Sequence, residues 1–220
     1  ALLGLASWQQ LARWHMIPAV ILALVLWQGV HRLYEAEASR PNRSSYLAGL
    51  KALAARPAVF MVMLSSGFVG MARISIVTFL PLYFTEALGY STFWLGFHWA
   101  LLYAMGAISQ PVMGMFSDKF SRKTVLLPSF LTMGMLYLAL PLAPNSILLA
   151  LVVAAMGMFF YGTGNIATAA VLDVAGREVQ GTTHSFMSLF QQVFTLPAPI
   201  ISGFIVEAYG IVPVFYCSSA

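Results

Sequence analysis

The sequence has very few charged residues. Asp, Glu, Lys and Arg make up 8% of its 220 residues, whereas soluble proteins carry roughly 25%. So little polar surface is not enough to cover a globule that faces water. The mean hydropathy of +0.83 supports the same conclusion. The scarcity of charge therefore excludes an ordinary soluble domain.

Cysteine is also scarce, and no carboxylate lies in the middle of an apolar stretch. Cys217 is the single cysteine, which excludes an internal disulfide framework. No spacing of His, Cys and carboxylates is typical of a metal site, and no nucleophile lies in a pattern with a base. We predict that the protein is not an enzyme and uses no cofactor or metal. Every acidic residue falls in a loop or at the end of an apolar segment: Glu35, Glu37, Glu86, Asp118, Asp173, Glu178 and Glu207.

Long apolar runs are what the sequence does contain. No charged residue occurs at 87–117, 124–172 or 179–206, and about 20 apolar residues cross a bilayer as a helix. A β-barrel would need alternating apolar and polar residues, which runs such as "ILLALVVAAMGMFF" lack. We predict an all-α polytopic membrane protein, with residues 1–6 as the tail of a preceding span. The predicted spans are 14–30, 58–84, 93–116, 124–142, 146–172, 184–206 and a last one that begins near Ile211 and is truncated at Ala220.

Basic residues are concentrated on one side of these spans. The loops 31–57, 117–123 and 173–183 hold all of them except Arg13 on the other side and Arg73 within a span. The positive-inside rule places these three loops in the cytoplasm of a cell-membrane protein. We divide the chain into the end of an N-terminal half (1–30), a basic linker (31–57) and a C-terminal bundle (58–220). The linker is predicted to contain an amphipathic surface helix, with a solvated linker as the alternative; the helical spacing is that of Tyr46, Leu47, Leu50, Leu53 and Ala54.

A cluster of charges interrupts the apolar runs at "GMFSDKFSRKTVLL", residues 114–127. Gly114 is followed by Asp118, Lys119, Arg122 and Lys123. This spacing resembles the signature of the major facilitator superfamily, G-x-x-x-D-R/K-x-G-R-R/K. The sequence departs from it at Ser121, where the family usually has glycine, so we expect a looser turn. Most of the chain fits the resemblance, because a long basic loop followed by six spans is similar to the second half of a twelve-span transporter.

The resemblance implies a secondary active transporter that moves a small solute by alternating access. Its implied partners are a small-molecule substrate, the lipid bilayer, the N-terminal half of the same transporter and a coupling ion such as a proton, but no nucleic acid. The charged turn would then be a conformational latch. We expect Gly114 to allow close helix packing, Asp118 to accept N–H groups from a neighbouring helix end, and Arg122 to pair with Asp173. The alternative is that the basic residues only obey the positive-inside rule.

Arg73 is the most informative residue within a span. A central arginine costs about 2.5–3.5 kcal/mol on insertion scales, so it usually faces a cavity or a partner. We consider contact with an anionic substrate, a pair with a carboxylate outside this sequence, and a reach to the outer headgroups. An organic anion is the favoured substrate, multidrug efflux is the alternative, and a scaffold or receptor is the alternative of another class.

Polar residues at helical spacing provide the other candidates for substrate contact. Polar faces in lipid should turn towards a pathway or a neighbouring helix, so interhelical hydrogen bonding is the alternative role. His98 and His184 are predicted to be isolated hydrogen-bonding histidines. Glycines and prolines near 157–164 and 197–199 mark positions of close packing or bending. The further candidates are Tyr103, Gln110, Tyr161, Asn165 and Gln191.

Overall fold

A computed structural model gives the structure of residues 8–34, 55–143, 147–175 and 180–219. These residues are almost all helical and contain no strand, which confirms the all-α prediction. The predicted linker helix at 46–54 and the tail at 1–6 lie outside the described residues. The chain divides into two units, Ala1–Arg43 and Ser44–Ala220.

The first unit contains one long helix, α1, at Trp8–Tyr34. It includes the predicted span 14–30 and carries Pro18 within it. Its apolar side chains are largely exposed, with Trp14 and Trp27 each 75% accessible. An apolar surface of this kind is suited to contact with lipid or with other helices.

The second unit contains the remaining helices. A proline at the first position starts α2, where its missing N–H costs nothing, and a π-helical turn at Tyr83–Ala87 extends this helix. The helices of the unit are α2 Pro57–Leu82, α3 Thr92–Phe120, α4 Arg122–Leu142, α5 Ile147–Phe160, α6 Gly162–Ala175, α7 Gln180–Thr195, α8 Ala198–Tyr209 and α9 Val212–Ser219.

The predicted spans coincide with these helices, but two of them are broken. The span 146–172 is α5 followed by α6, with a turn at Tyr161 between them, and 184–206 is α7 followed by α8, with a break at Leu196–Pro197. Pro197 lacks the N–H that a continuous helix would use. Among the described residues, four stretches are long and apolar enough to cross a membrane: Pro57–Ala87, Arg122–Leu142, Ile147–Val174 and Thr183–Tyr209. At 29 residues, α3 also has the necessary length.

The buried core positions α3 and α5 unusually close together. A Cβ atom on Gly157 would lie 3.1 Å from both the carbonyl carbon and the Cα of Leu102, and closer still to its carbonyl oxygen. The Ser109 hydroxyl of α3 donates to the Met158 carbonyl of α5 at 2.6 Å. Glycine at 157 therefore allows the backbones of α3 and α5 to be in contact. This contact positions the end of α5, and with it the Tyr161 turn, beside α3.

Candidate functional site

A cavity of about 240 Å³ lies between α2, α3, α6 and α7 in the second unit. Its polar lining includes five of the six residues that the sequence suggested for substrate contact. The cavity walls also include the Tyr161 turn, where α5 ends and α6 begins. The five residues are Arg73, Gln110, Tyr161, Asn165 and Gln191.

Tyr103, the sixth candidate, lies beside the cavity and not in its wall. Its ring stacks on that of Tyr161, with centroids 5.5 Å apart and planes 26° apart. On its other side it stacks on Trp99, with centroids 5.7 Å apart and planes 27° apart. Three aromatic rings thus form a continuous stack that reaches the cavity at Tyr161.

Arg73 supplies positive charge to the cavity. Its guanidinium carbon lies 5.9 Å from the ring centroid of Phe160, a distance at which the ring face attracts a cation. Its Nη1 lies close to α6, since a Cβ on Gly164 would be in van der Waals contact with it at 3.8 Å. Among the described residues no carboxylate lies within 4.0 Å of Arg73 and none lines the cavity. The positive charge is therefore not neutralised by a described acid.

An amide pair crosses the cavity from α6 to α3. Asn165 Nδ2 donates to Gln110 Oε1 at 2.9 Å. Each side-chain amide has both a donor and an acceptor, so the pair can present both to a ligand. Gln191 approaches from α7 across Gly70, where a Cβ would lie 2.7 Å from Gln191 Nε2. The amide therefore lies close against α2, and any larger residue at position 70 would require it to shift.

The apolar part of the wall was not predicted from the sequence. Met63, Phe130, Phe160 and Met187 line the same cavity as the polar residues. In a chain that is 60% hydrophobic, an apolar residue that faces a cavity has no distinctive pattern. The one available signal was that Phe160 precedes the glycine-rich turn.

His98 and His184 have different environments. His98 is 3% exposed, and its Nδ1 lies 2.8 Å from the Trp94 carbonyl oxygen, as an isolated hydrogen-bonding histidine would. His184 is exposed and lines the cavity. Within the described ranges, no group of three or more His, Cys, Asp or Glu side chains could hold a metal ion.

Arg122 joins three helices at the cytoplasmic turn between α3 and α4. Its Nε donates to Asp173 Oδ2 of α6 at 2.9 Å, which is the pair that the sequence suggested. Its Nη1 donates to the Ser117 hydroxyl at 2.9 Å and to the Asp118 carboxylate. One guanidinium thereby connects the end of α3, the start of α4 and the end of α6.

At this turn the described residues differ from three of our expectations. A Cβ on Gly114 would meet no described atom within 4 Å, so this glycine makes no close helix contact with the described residues. Asp118, whose side chain is 68% exposed, pairs with Arg122 and not with backbone N–H groups. The turn is also not loose, because Ser121 alone connects α3 to α4. The remaining cluster members are exposed: Lys119, with Nζ 5.3 Å from the Phe120 ring centroid, and Lys123.

Comparison with known proteins shows the family. The model of the Major Facilitator Superfamily matches residues 1–199. The chain belongs to this superfamily. Membership and the apolar helices together make it an integral multi-pass protein of the cell membrane.

Curated relatives within the Major Facilitator Superfamily carry names that refer to drugs. The multidrug resistance protein MdtG of Yersinia enterocolitica is 29% identical over 167 residues, which cover 74% of this chain and 40% of that protein. The multi-drug resistance efflux pump PmrA of Streptococcus pneumoniae is 32% identical over 153 residues, which cover 67% of this chain and 38% of that protein. The chain thus spans about two fifths of the length of the curated relatives that it matches.

Proposed function

We propose that this protein exports hydrophobic, drug-like compounds as a secondary active transporter that works by alternating access. The names of similar superfamily members support export of drugs over the organic anion that we favoured from the sequence. The residues of the cavity are its part of the substrate site: Arg73, Gln110, Tyr161, Asn165 and Gln191, with Tyr103 beside them.

The mixed lining of the cavity is the observation that carries this proposal. Methionine and aromatic side chains adapt to ligands of different shape, and Met63, Met187, Phe130 and Phe160 are among the lining residues. The polar part of the lining includes side-chain amides, hydroxyl groups and one arginine. The volume of about 240 Å³ is below the roughly 300–1,000 Å³ of drug-sized pockets, which fits one wall of a site that another part of the transporter completes.

A transporter of organic anions is the second candidate, because Arg73 has no described carboxylate within 4.0 Å. Such a protein would move few compounds besides anions. An arginine that only served packing would be expected to have its charge compensated, since an unpaired charge in the membrane is costly.

The two candidates are separated by export measurements on cells that express the full-length protein. The panel contains hydrophobic neutral compounds, cations and anions, tested on wild type, Arg73→Ala and Arg73→Lys. Export of several unrelated compounds supports drug efflux. Export of anions alone, abolished by alanine and partly kept by lysine, supports the anion transporter. No export of any compound by folded protein would support a scaffold or receptor instead.

The cytoplasmic turn supplies the conformational latch in this proposal. The Arg122 contacts to α3 and α6 support it, since separating these helices would break the Asp173 pair. The latch residues are Gly114, Asp118, Lys119, Arg122, Lys123 and Asp173. We retain the division at 1–30, 31–57 and 58–220, with the linker tethering two halves, as part of the same proposal.

A further inference from the structure

The aromatic stack next to the cavity is partly exposed. Trp99 and Tyr103 are one turn apart on α3, and Tyr161 continues their stack from the α5–α6 turn. Tyr103 is 53% accessible in spite of these two neighbours. A ring held between two stacked rings has both faces covered, so its exposed part is the edge, which a flat ligand can meet in an edge-to-face contact.

The orientation of the inner ring is fixed by α3. A Cβ on Gly106 would lie 2.5 Å from Tyr161 Cδ2 and 3.2 Å from the Gly157 carbonyl oxygen. The Tyr161 ring therefore lies directly against the α3 backbone, and only glycine at 106 permits this position. A surface built in this way keeps its shape before any ligand arrives, which lowers the cost of binding.

The inner end of the stack adjoins the positive charge of the cavity. The Phe160 and Tyr161 rings are 5.2 Å apart, and Arg73 lies over the Phe160 ring. Only the Phe160 ring therefore separates the inner end of the stack from the guanidinium of Arg73, which has no described carboxylate partner. Aromatic side chains and an available cation thus lie near each other in the same site.

We propose that the stack and Arg73 form a two-point site for planar aromatic anions. The inference rests on the proposed export function and names its preferred substrate class. The ligand's rings contact the exposed edges of Tyr103 and Tyr161, and its anionic group pairs with Arg73. Lipophilic cations bind poorly, because the described cavity lining contains a positive charge and no acid to attract them.

Three permanently charged probes separate the two contacts. Naphthalene sulfonate is planar and anionic, decalin sulfonate is anionic but not planar, and naphthyl trimethylammonium is planar but cationic. Uptake of each is measured into inside-out membrane vesicles from cells that express the full-length protein, because permanently charged probes do not enter intact cells, and the KM is determined for wild type and variants. A panel of neutral hydrophobic compounds is measured in the same cells to establish whether export occurs at all.

Tyr103→Leu tests the aromatic contact. We expect it to raise the KM for naphthalene sulfonate roughly 3- to 10-fold and to leave that for decalin sulfonate unchanged, while Tyr103→Phe retains the wild-type value. Phe116→Leu is the matched control. It removes an exposed ring of α3 that stacks on Phe120 at the cytoplasmic end, with centroids 5.9 Å apart, and it should change neither KM.

Arg73→Ala tests the charged contact. We expect it to raise the KM for both sulfonates on the order of 10-fold or more and to bring the cation closer to them. Equal wild-type KM values for the two sulfonates would overturn the aromatic contact, and so would an unchanged value in Tyr103→Leu. Export of the cation as readily as the sulfonates would overturn the charge preference. Failure to export the neutral panel would instead refute the proposed function.

Discussion

Replacing Gly157 by alanine should destabilise the second unit through the contact between α3 and α5. The added methyl group would face the backbone of Leu102, at 3.1 Å from two of its carbon atoms and closer to its oxygen. Backbone atoms in a helix have no rotamer that moves them aside. The two helices must therefore separate by several tenths of an ångström.

The magnitude follows from three contributions. Overpacking of a tight core costs roughly 1–3 kcal/mol. Separation of the helices would also lengthen the 2.6 Å bond from Ser109 to Met158, and loss of a hydrogen bond costs about 1 kcal/mol. Alanine regains up to about 1 kcal/mol of helix propensity. We expect a net loss of roughly 1–3 kcal/mol in the free energy of unfolding.

The assay is thermal unfolding of the full-length protein in detergent, with Gly114→Ala as the matched control. Gly114 lies in α3, and its added methyl group meets no described atom within 4 Å, so only the propensity gain should remain. The unfolding midpoint should fall for Gly157→Ala and stay equal or rise for Gly114→Ala. An unchanged midpoint in Gly157→Ala, or an equal fall in both variants, would refute the packing argument.

Three further predictions concern the cytoplasmic turn. Ser121 has φ +96° and ψ 149°, a region that strains non-glycine residues by about 1–3 kcal/mol. Ser121→Gly should therefore raise the unfolding midpoint, although it removes the side-chain cap to the Thr124 N–H. A fall in the midpoint would contradict this. A double-mutant cycle of Arg122→Ala and Asp173→Asn should give a coupling of about 0.2–1 kcal/mol, because both side chains are partly exposed; zero coupling would remove the pair from the proposed latch. Asp173→Asn should also change the KM for naphthalene sulfonate about 2- to 5-fold. An unchanged KM would mean that the Arg122–Asp173 pair is not coupled to substrate binding in the cavity.

The positions of the helices could be predicted because the bilayer imposes a length on every span. Apolar runs bounded by charged or turn residues located each apolar segment of the second unit to within a few residues, although two of these segments are each divided into two helices. The breaks at Tyr161 and Leu196–Pro197 were harder to place. Glycine and proline mark several possible bends nearby, and packing against α3 and α2 selects the one that forms.

The cavity could be predicted in part for a similar reason. A polar side chain within a lipid-facing helix is costly, so Arg73, Gln110 and Asn165 had to face inward. Tyr103 is amphipathic and is less constrained, and it lies beside the cavity. The neighbour of Gly114 could not be predicted, because a motif specifies residue types but does not specify which neighbour packs against each one.

One helix connects the cavity to the cytoplasmic turn. Asn165 and Asp173 lie on α6 eight residues apart, a rise of about 12 Å along a helix, and the Tyr161 turn separates α6 from α5. Asn165 is held by Gln110 of α3, and Asp173 is held by Arg122 at the start of α4. A ligand that displaces Asn165 must move α6 or break its bond to α3. Because a short helix moves nearly as a rigid body, we expect that movement to reach Asp173 and to strain its pair with Arg122, as the proposed latch requires. The Tyr161 turn is the point at which α6 can change direction without moving α5, which the Gly157 contact fixes to α3.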